Sequence, residues 1–125
     1  MYRPYSRLTD YNNKPNNHVN FNNGMKYRAI RTYSELCQRT FDSKLEARIA
    51  DSLMLRQNNG EISNLQFQIS FLLCKKPNIK IRVDFVYNEN GVVKYIEAKG
   101  RETSYSRVKR AWAAEKLGIN IELVR

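Results

Sequence analysis

The sequence predicts an α/β fold, with a mixed β-sheet flanked by helices in the order helix, three strands, helix, strand. Three observations support this prediction. Two segments carry the cap residues of helices, an Asn-Gly pair joins two segments rich in β-branched residues, and a further segment alternates apolar and polar residues. A chain of 125 residues, 42% of them hydrophobic, suits a single small domain.

Residues 1–24 are predicted to form a flexible, basic arm, because asparagine and tyrosine crowd the segment while aliphatic residues are nearly absent. The folded domain then spans residues 25–125. The single histidine, His18, lies in the arm and is therefore a poor candidate for a general base. The stretch KYRAIRTYSELCQRTF, residues 26–41, alternates imperfectly and favours an extended or hairpin segment over a helix.

The first helix is predicted from Lys44 to about Gln57. Ser43 and Glu46 match the Ser-x-x-Glu capping box that marks a helix start. Helical spacing gives a core stripe of Leu45, Ile49 and Leu53, and it places Glu46 in the same arc. Two interpretations of Glu46 stay open at this point, because its carboxylate either completes the capping box or reaches towards a site in the core.

A strand is predicted over Ile62 to Cys74, where apolar residues recur at every second position. Its apolar face consists of Leu65, Phe67, Ile69 and Phe71, and its polar face of Gln66, Gln68 and Ser70. Gln68 either lines a functional site or forms hydrogen bonds within the sheet and with solvent.

The next two strands, Ile81 to Val86 and Val92 to Ala98, flank an Asn-Gly pair and form a predicted hairpin. If Asn90 and Gly91 are the two loop residues, Asp84 lies directly opposite Glu97. A four-residue loop would make the two carboxylates diagonal neighbours on the same face.

Opposed carboxylates repel each other, so this register calls for a cation, and hard oxygen ligands suit Mg²⁺ or Mn²⁺. Strand alternation places Lys99 on the face of Glu97, while Ile96 and Ala98 face the core. The alternative is a solvated face that carries these charges without a cation.

A second helix is predicted from a cap at Thr103 or Ser104 to Leu117, with Gly118 ending it, and a last strand over Ile119 to Val124. In this helix the side chains expected to pack inward are Val108, Trp112 and Leu117. A basic group in the same helix suits either phosphate contact or a solvated face, and it consists of Arg107, Lys109 and Arg110.

The charge balance indicates an anionic polymer as partner. Lysine and arginine number 22 against 12 acidic residues, which gives a net charge of +10. No apolar run is long enough to span a membrane and the first residues lack the apolar stretch of a signal peptide, so a cytoplasmic protein is expected. Cys37 and Cys74 stand far apart without a partner motif, which favours reduced thiols over a disulfide or a zinc site.

The set of Glu46, then Asp84, then Glu97-Ala98-Lys99 resembles the PD-(D/E)xK nuclease superfamily. The ordered segments FDSKLEARIADSL, GEISNLQFQ, VDFVYNENG, IEAKG and KRAWAAEKLGINI resemble a small phage-encoded branch of it, similar to endonuclease I type Holliday-junction resolvases. The resemblance covers roughly residues 26–125. Val83 stands where the superfamily name has proline, a change that touches no ligand.

The resemblance implies a restriction-endonuclease-like core and a Mg²⁺-dependent DNA endonuclease. Asp84, Glu97, the Ala98 carbonyl and Glu46 would hold one or two Mg²⁺ ions, with Mn²⁺ able to substitute, and Lys99 would orient the attacking water. Gln68 is a supporting candidate. The basic side chains expected to contact DNA are Lys44, Arg48, Arg101, Arg107, Lys109 and Arg110.

The expected substrate is branched DNA such as a Holliday junction, cut by a homodimer in the cytoplasm, that of the host cell if the protein is phage-encoded. Small size supports this expectation, since the chain has no room for a separate sequence-reading domain. Two alternatives stay open. One is a non-catalytic nucleic-acid-binding protein with the same fold, and the other is a nicking, restriction-like or repair nuclease.

Overall fold

The fold is a mixed four-stranded sheet with a helix on each face and a small hairpin before the first helix. The computed structural model describes residues 29–99 and 102–125. The predicted arm, residues 1–24, lies outside the described residues, and Arg31–Arg125 form one compact unit. The elements are β1 Thr32–Ser34, β2 Arg39–Phe41, α1 Lys44–Asn58, β3 Ser63–Cys74, β4 Ile79–Glu89, β5 Val92–Ala98, α2 Ser104–Leu117 and β6 Ile121–Val124.

The main sheet has the strand order β3-β4-β5-β6. β3, β4 and β5 are antiparallel neighbours, whereas β6 runs parallel to β5 because α2 carries the chain back across the sheet. β1 and β2 pair separately as a two-stranded hairpin. The predicted order of helix, three strands, helix and strand is confirmed, and the segment before α1 is extended as expected.

Two hydrophobic clusters lie on opposite faces of the sheet. The first packs α1 against the sheet around Phe41, Phe85 and Ile96. The second packs Ala113 and Trp112 of α2 against Leu73, Ile81 and Tyr95. Tyr95 and Ile96 are consecutive on β5 and therefore point to opposite faces, which places the two helices on opposite sides.

Both helix starts follow from their cap residues. Ser43 Oγ accepts a hydrogen bond from the Glu46 N–H at the start of α1, and Thr103 forms a full capping box with Ser106 at the start of α2. Gly118 ends α2 with φ of +70°, a left-handed conformation that glycine adopts without the Cβ penalty.

The buried faces of the helices differ from the predicted ones. The buried residues of α1 are Glu46, Ala47, Ala50 and Leu53, whereas Leu45 and Ile49 are only half-buried. On α2 the prediction for Val108 and Leu117 is wrong, because both are exposed and the small Ala113 lies against the sheet instead. In each helix the most deeply buried residue is an alanine, Ala50 in α1 and Ala113 in α2.

The apolar face predicted for β3 is divided between the two clusters. Leu65 and Phe67 pack on the α1 side, whereas Phe71 packs on the α2 side. The change coincides with Gln68, whose φ is +54° and which makes no ladder pair between the Phe67–Phe85 and Ile69–Val83 pairs. A strand that alternated regularly would keep all these residues on one face.

Two further expectations concern cysteine and the membrane. Cys37 and Cys74 are both free and half-buried, as predicted. Within the described ranges, no helix has the length and apolar character that crossing a membrane requires.

Candidate metal and phosphate site

The turn between β4 and β5 fixes the pairing that the site depends on. Asn90 and Gly91 have φ of +53° and +78°, as a two-residue turn with both central residues left-handed requires. The ladder runs from Glu89 opposite Val92 to Phe85 opposite Ile96. The predicted two-residue loop is therefore confirmed, and the next positions in this register are Asp84 and Glu97.

Asp84 is buried at the centre of the site, with 5% of its surface exposed. Its Oδ2 accepts a hydrogen bond from the Ala98 N–H at 3.0 Å, and its Oδ1 lies 3.6 Å from Arg82 Nη2. Burial and then the negative charge of Glu46 raise the pKa of Asp84 to about 6, although the Ala98 N–H and Arg82 act in the opposite direction. A nearby cation would remove this penalty on the charged form.

Glu46 is directed towards β3. The Ser43 hydroxyl caps the Glu46 N–H at 3.0 Å, but the Glu46 carboxylate accepts a hydrogen bond from Gln68 Nε2 at 3.4 Å. Burial raises the pKa of Glu46, the Gln68 hydrogen bond lowers it, and the charge of Asp42 raises it. The sequence left two interpretations of Glu46 open. In the structure the carboxylate reaches into the core and does not complete the capping box, although the Ser43 hydroxyl still caps the Glu46 N–H.

Gln68 links the hairpin β1–β2 to this carboxylate. Its Oε1 accepts a hydrogen bond from Arg39 Nη2 at 3.3 Å while its amide donates to Glu46. In the β3–β4 register Gln68 stands opposite Asp84. Its positive φ is an uncommon conformation for a residue with a Cβ, and such residues concentrate where a side chain must be aimed at a functional site.

Glu97 and Lys99 form an ion pair, with Lys99 Nζ 3.3 Å from Glu97 Oε2. Both side chains are largely covered, with exposed fractions of 14% for Glu97 and 21% for Lys99. The Lys99 N–H donates to the Val124 carbonyl, which extends the parallel pairing of β5 with β6 by one step. The two charges thus lie side by side, as strand alternation predicts.

Two arginines near the carboxylates, Arg82 and Arg39, were not predicted from the sequence. Arg82 Nη2 lies between Asp42, at 3.4 Å, and Asp84, at 3.6 Å. Strand spacing offered a signal for Arg82, since it precedes Asp84 by two. Arg39 is held over the rings of Phe41 and Phe67, at 5.4 Å and 4.9 Å from their centroids, and lay in a segment with no clear pattern.

The donor chemistry fits a hard divalent cation, because Glu46, Asp84 and Glu97 supply only carboxylate oxygens. In the part of the chain that the structure describes, however, no three His, Cys, Asp or Glu side chains form a group that could hold a metal ion. Lys99 holds Glu97, while Arg82 and the Ala98 N–H hold Asp84. A metal would therefore have to exchange these contacts for its own.

The side chains predicted to bind nucleic acid fall into two groups. Lys44 and Arg48 are exposed on α1. On α2, Arg107 and Arg110 bind Glu102, and Lys109 Nζ lies 5.0 Å from the centroid of the Tyr105 ring. Arg101 lies outside the described residues.

One comparison with known proteins gives a match. The model of a family described as a protein of unknown function matches residues 24–122. No curated protein and no solved structure matches the chain.

Proposed function

The chain belongs to the DUF1064 family, whose description assigns no function, and from its site we propose that it is a Mg²⁺-dependent endonuclease that hydrolyses the phosphodiester bonds of DNA. The fold would be the restriction-endonuclease-like core of the PD-(D/E)xK superfamily. The observation that carries the proposal is the convergence of Glu46, Gln68 and Asp84 from three different elements beside the Glu97-Lys99 pair.

Electrostatics supports a cation at this place. Asp84 is charged only at a cost, since burial and Glu46 both raise its pKa, and Glu97 adds to the same effect. Perturbed carboxyl groups of this kind concentrate at functional sites. The structural alternative, a buried ion-pair network, leaves unexplained why Gln68 adopts a positive φ to reach Glu46.

In this proposal Asp84, Glu97, the Ala98 carbonyl and Glu46 are the groups that would hold one or two Mg²⁺ ions. A bound ion of this type lowers the pKa of its water and neutralises charge on phosphate oxygens. Lys99, paired with Glu97 in the free protein, places its ammonium beside the attacking water or the phosphate. Gln68 positions the Glu46 carboxylate.

The proposed substrate is branched DNA, and the proposed assembly is a two-fold dimer. The net charge of +10 suits a polyanion, and Lys44 and Arg48 lie on the same helix as Glu46. A junction resolvase must cut two strands symmetrically, which a two-fold dimer achieves with one site in each protomer. A nicking, restriction-like or repair nuclease would use the same chemistry on another DNA substrate.

A second candidate is a non-catalytic nucleic-acid-binding protein. One observation favours it, since within residues 29–99 and 102–125 the carboxylates are tied to Lys99, Arg82 and the backbone and form no compact metal-ligand group. In that case the acidic cluster would serve stability alone. Salt would weaken DNA binding in both cases, so cleavage and metal binding separate them.

The experiment compares a labelled four-way junction with a matching linear duplex, in Mg²⁺ and in Ca²⁺. Wild type is expected to make paired, symmetric cuts in the junction only with Mg²⁺. Glu97→Ala and Lys99→Ala are expected to lose cleavage and keep DNA affinity. Their matched controls are Glu122→Ala on β6 and Lys94→Ala on β5, which should cut like wild type.

The outcomes divide the candidates. Cutting of both substrates would point to a less selective nuclease. Tight DNA binding in Ca²⁺ without cleavage in Mg²⁺ or Mn²⁺ would contradict the proposed nuclease activity and favour a non-catalytic DNA-binding protein. Sedimentation of a monomer in the presence of junction DNA would contradict the resolvase.

A further inference from the structure

Three arginines surround one carboxylate just after the proposed catalytic segment. Glu102 Oε2 accepts hydrogen bonds from Arg107 Nε and Arg110 Nη2, both at 2.8 Å. Arg125 Nη2 lies 3.7 Å from the other oxygen, Oε1. The arginines come from α2 and from the residue after β6, so chain segments distant in sequence meet at Glu102.

This cluster holds more positive charge than its carboxylate neutralises. Three guanidinium groups face one carboxylate, and Arg110 Nη1 is the only buried side-chain nitrogen or oxygen in the described residues that has no hydrogen-bond partner. A buried donor without an acceptor carries a desolvation cost, which a ligand oxygen would remove. Arg107 and Arg125 are open to a ligand, with side-chain exposures of 65% and 61%.

We propose that Arg107, Arg110 and Arg125 form a binding site for a backbone phosphate of DNA, and that Glu102 occupies this site in the free protein and is displaced by the phosphate. The proposal rests on the proposed nuclease function and adds to it an internal competitor for substrate. Planar guanidinium groups match the oxygens of a phosphate as well as those of a carboxylate, so one can replace the other.

The alternative is a purely structural clamp. The Glu102 contacts would then only fasten the start of α2 to the residue that follows β6. The two roles predict opposite effects of removing the charge, because a clamp loses stability without any gain in DNA affinity, whereas an internal competitor releases the arginines for DNA.

The test measures DNA affinity by fluorescence anisotropy in Ca²⁺, where cleavage does not interfere. Glu102→Gln is expected to bind linear duplex about tenfold more tightly than wild type, as befits charge-assisted contacts. Glu115→Gln makes the same charge change on an exposed position of the same helix and is expected to change affinity by less than about twofold. In a background carrying Arg107→Gln and Arg110→Gln, the gain from Glu102→Gln should disappear.

A second variant keeps the test valid if Glu102→Gln does not fold. Arg125→Gln alters a largely exposed side chain at the last residue of the chain and is expected to weaken DNA binding about fivefold. Lys80→Gln, an exposed position on β4, is its control and should weaken binding far less. Equal losses in the two variants would overturn the site.

The remaining outcomes separate the two proposals. Equal affinities of Glu102→Gln and Glu115→Gln, with junction cleavage intact, would overturn the internal competitor and leave the nuclease standing. If neither wild type nor variants bind DNA at low salt, both proposals fall. If inorganic phosphate raises the unfolding temperature of Glu102→Gln but not of Glu115→Gln, while DNA affinity shows no gain, the site belongs to a free anion and the assignment to DNA is overturned.

Discussion

Asp84 is the residue whose surroundings most disfavour its charge. It is buried and lies near the negative charges of Glu46 and Glu97. Only the Ala98 N–H and the Arg82 guanidinium, 3.6 Å away, stabilise its charged form. A carboxylate under these conditions destabilises the fold when ionised. The same conditions favour the binding of a divalent cation, because its charge would compensate the buried carboxylate. The carboxylate therefore lowers the stability of the metal-free fold and strengthens cation binding.

The sign of the pH effect follows from the direction of the shift. The pKa of Asp84 rises from its ordinary 3.8 to about 6, so the folded state binds a proton more tightly than the unfolded state. Stability is therefore highest when Asp84 is protonated in both states, and it is lost as pH rises through about 6. Asp84→Asn should raise the free energy of unfolding by about 3 kcal/mol at about pH 7.5, and by only about 0.5 kcal/mol at about pH 4.

Urea unfolding of both proteins across this pH range checks the prediction. Glu102→Gln is the control and should lower stability at neutral pH. Hydrogen bonds from Arg107 and Arg110 lower the pKa of Glu102 to about 2, so its charged form stabilises the fold. Added Mg²⁺ should stabilise wild type but not Asp84→Asn, since a ligand stabilises only the state that binds it. A gain in stability that is independent of pH would refute the electrostatic explanation.

At the scale of single elements, β3 is shaped by its two residues with positive φ, Asn64 and Gln68. Gln68→Gly has two opposing effects on the free energy of unfolding. Glycine adopts this conformation freely, but the variant loses the hydrogen bonds to Arg39 and to the buried Glu46, so the net change should be smaller than about 1 kcal/mol. The variant should also reduce cleavage about 10- to 100-fold, since it removes the amide that joins Arg39 to Glu46.

Asn64→Gly is the matched control on the same strand. It carries nearly the same φ, +56° against +54°, but its side chain is exposed and accepts a hydrogen bond from Gln66 Nε2. The stability of this variant should rise by only about 0.5 kcal/mol, because asparagine tolerates this region well, and cleavage should stay at the wild-type level. If Gln68→Gly lost no activity, the positive φ of Gln68 would be a feature of the strand alone, with no role in the site.

The elements that the sequence predicts well are those with local chemical signals. The Asn90-Gly91 turn determines its own backbone conformation, and hence the β4–β5 register from Glu89–Val92 to Phe85–Ile96, without any information from distant residues. Gly118 and Thr103 act in the same local way at the ends of α2. The turn, the helix ends and the hairpin register are therefore accessible from sequence, whereas β4, predicted from Ile81 to Val86, extends over Ile79–Glu89.

What the sequence does not predict depends on contacts between elements. Ala113 of α2 is buried against the sheet whereas Val108 is exposed, a difference that the spacing of apolar residues in the sequence does not contain. Gln68, where β3 changes packing side, forms hydrogen bonds with Arg39 and Glu46, which lie 29 and 22 residues away in the sequence. Hydrophobic periodicity contains no distance between elements, so it selects the largest side chains even where the packing requires small ones.

For the whole molecule, the question is whether its +10 charge acts as a diffuse field or through particular contacts. Lys44 and Arg48 lie on the helix that carries Glu46. Lys75 and Lys76 directly follow Cys74, the last residue of β3. Cys74 is six residues along the strand from Gln68, so these two lysines lie about 20 Å from the site. This exceeds the screening length of about 8 Å at physiological ionic strength. The two pairs carry equal charge at different distances from the site.

The salt dependence of DNA binding distinguishes a diffuse field from particular contacts. The double variant Lys44→Gln, Arg48→Gln should lower the slope of log affinity against log salt by about 0.9 for each phosphate that it no longer neutralises. The double variant Lys75→Gln, Lys76→Gln removes the same charge and should leave the slope almost unchanged. Anisotropy titrations of a linear duplex in Ca²⁺ over a range of salt concentrations measure both. Equal slopes would mean that DNA responds to net charge alone, and α1 would then no longer be the face that presents Glu46 to the substrate.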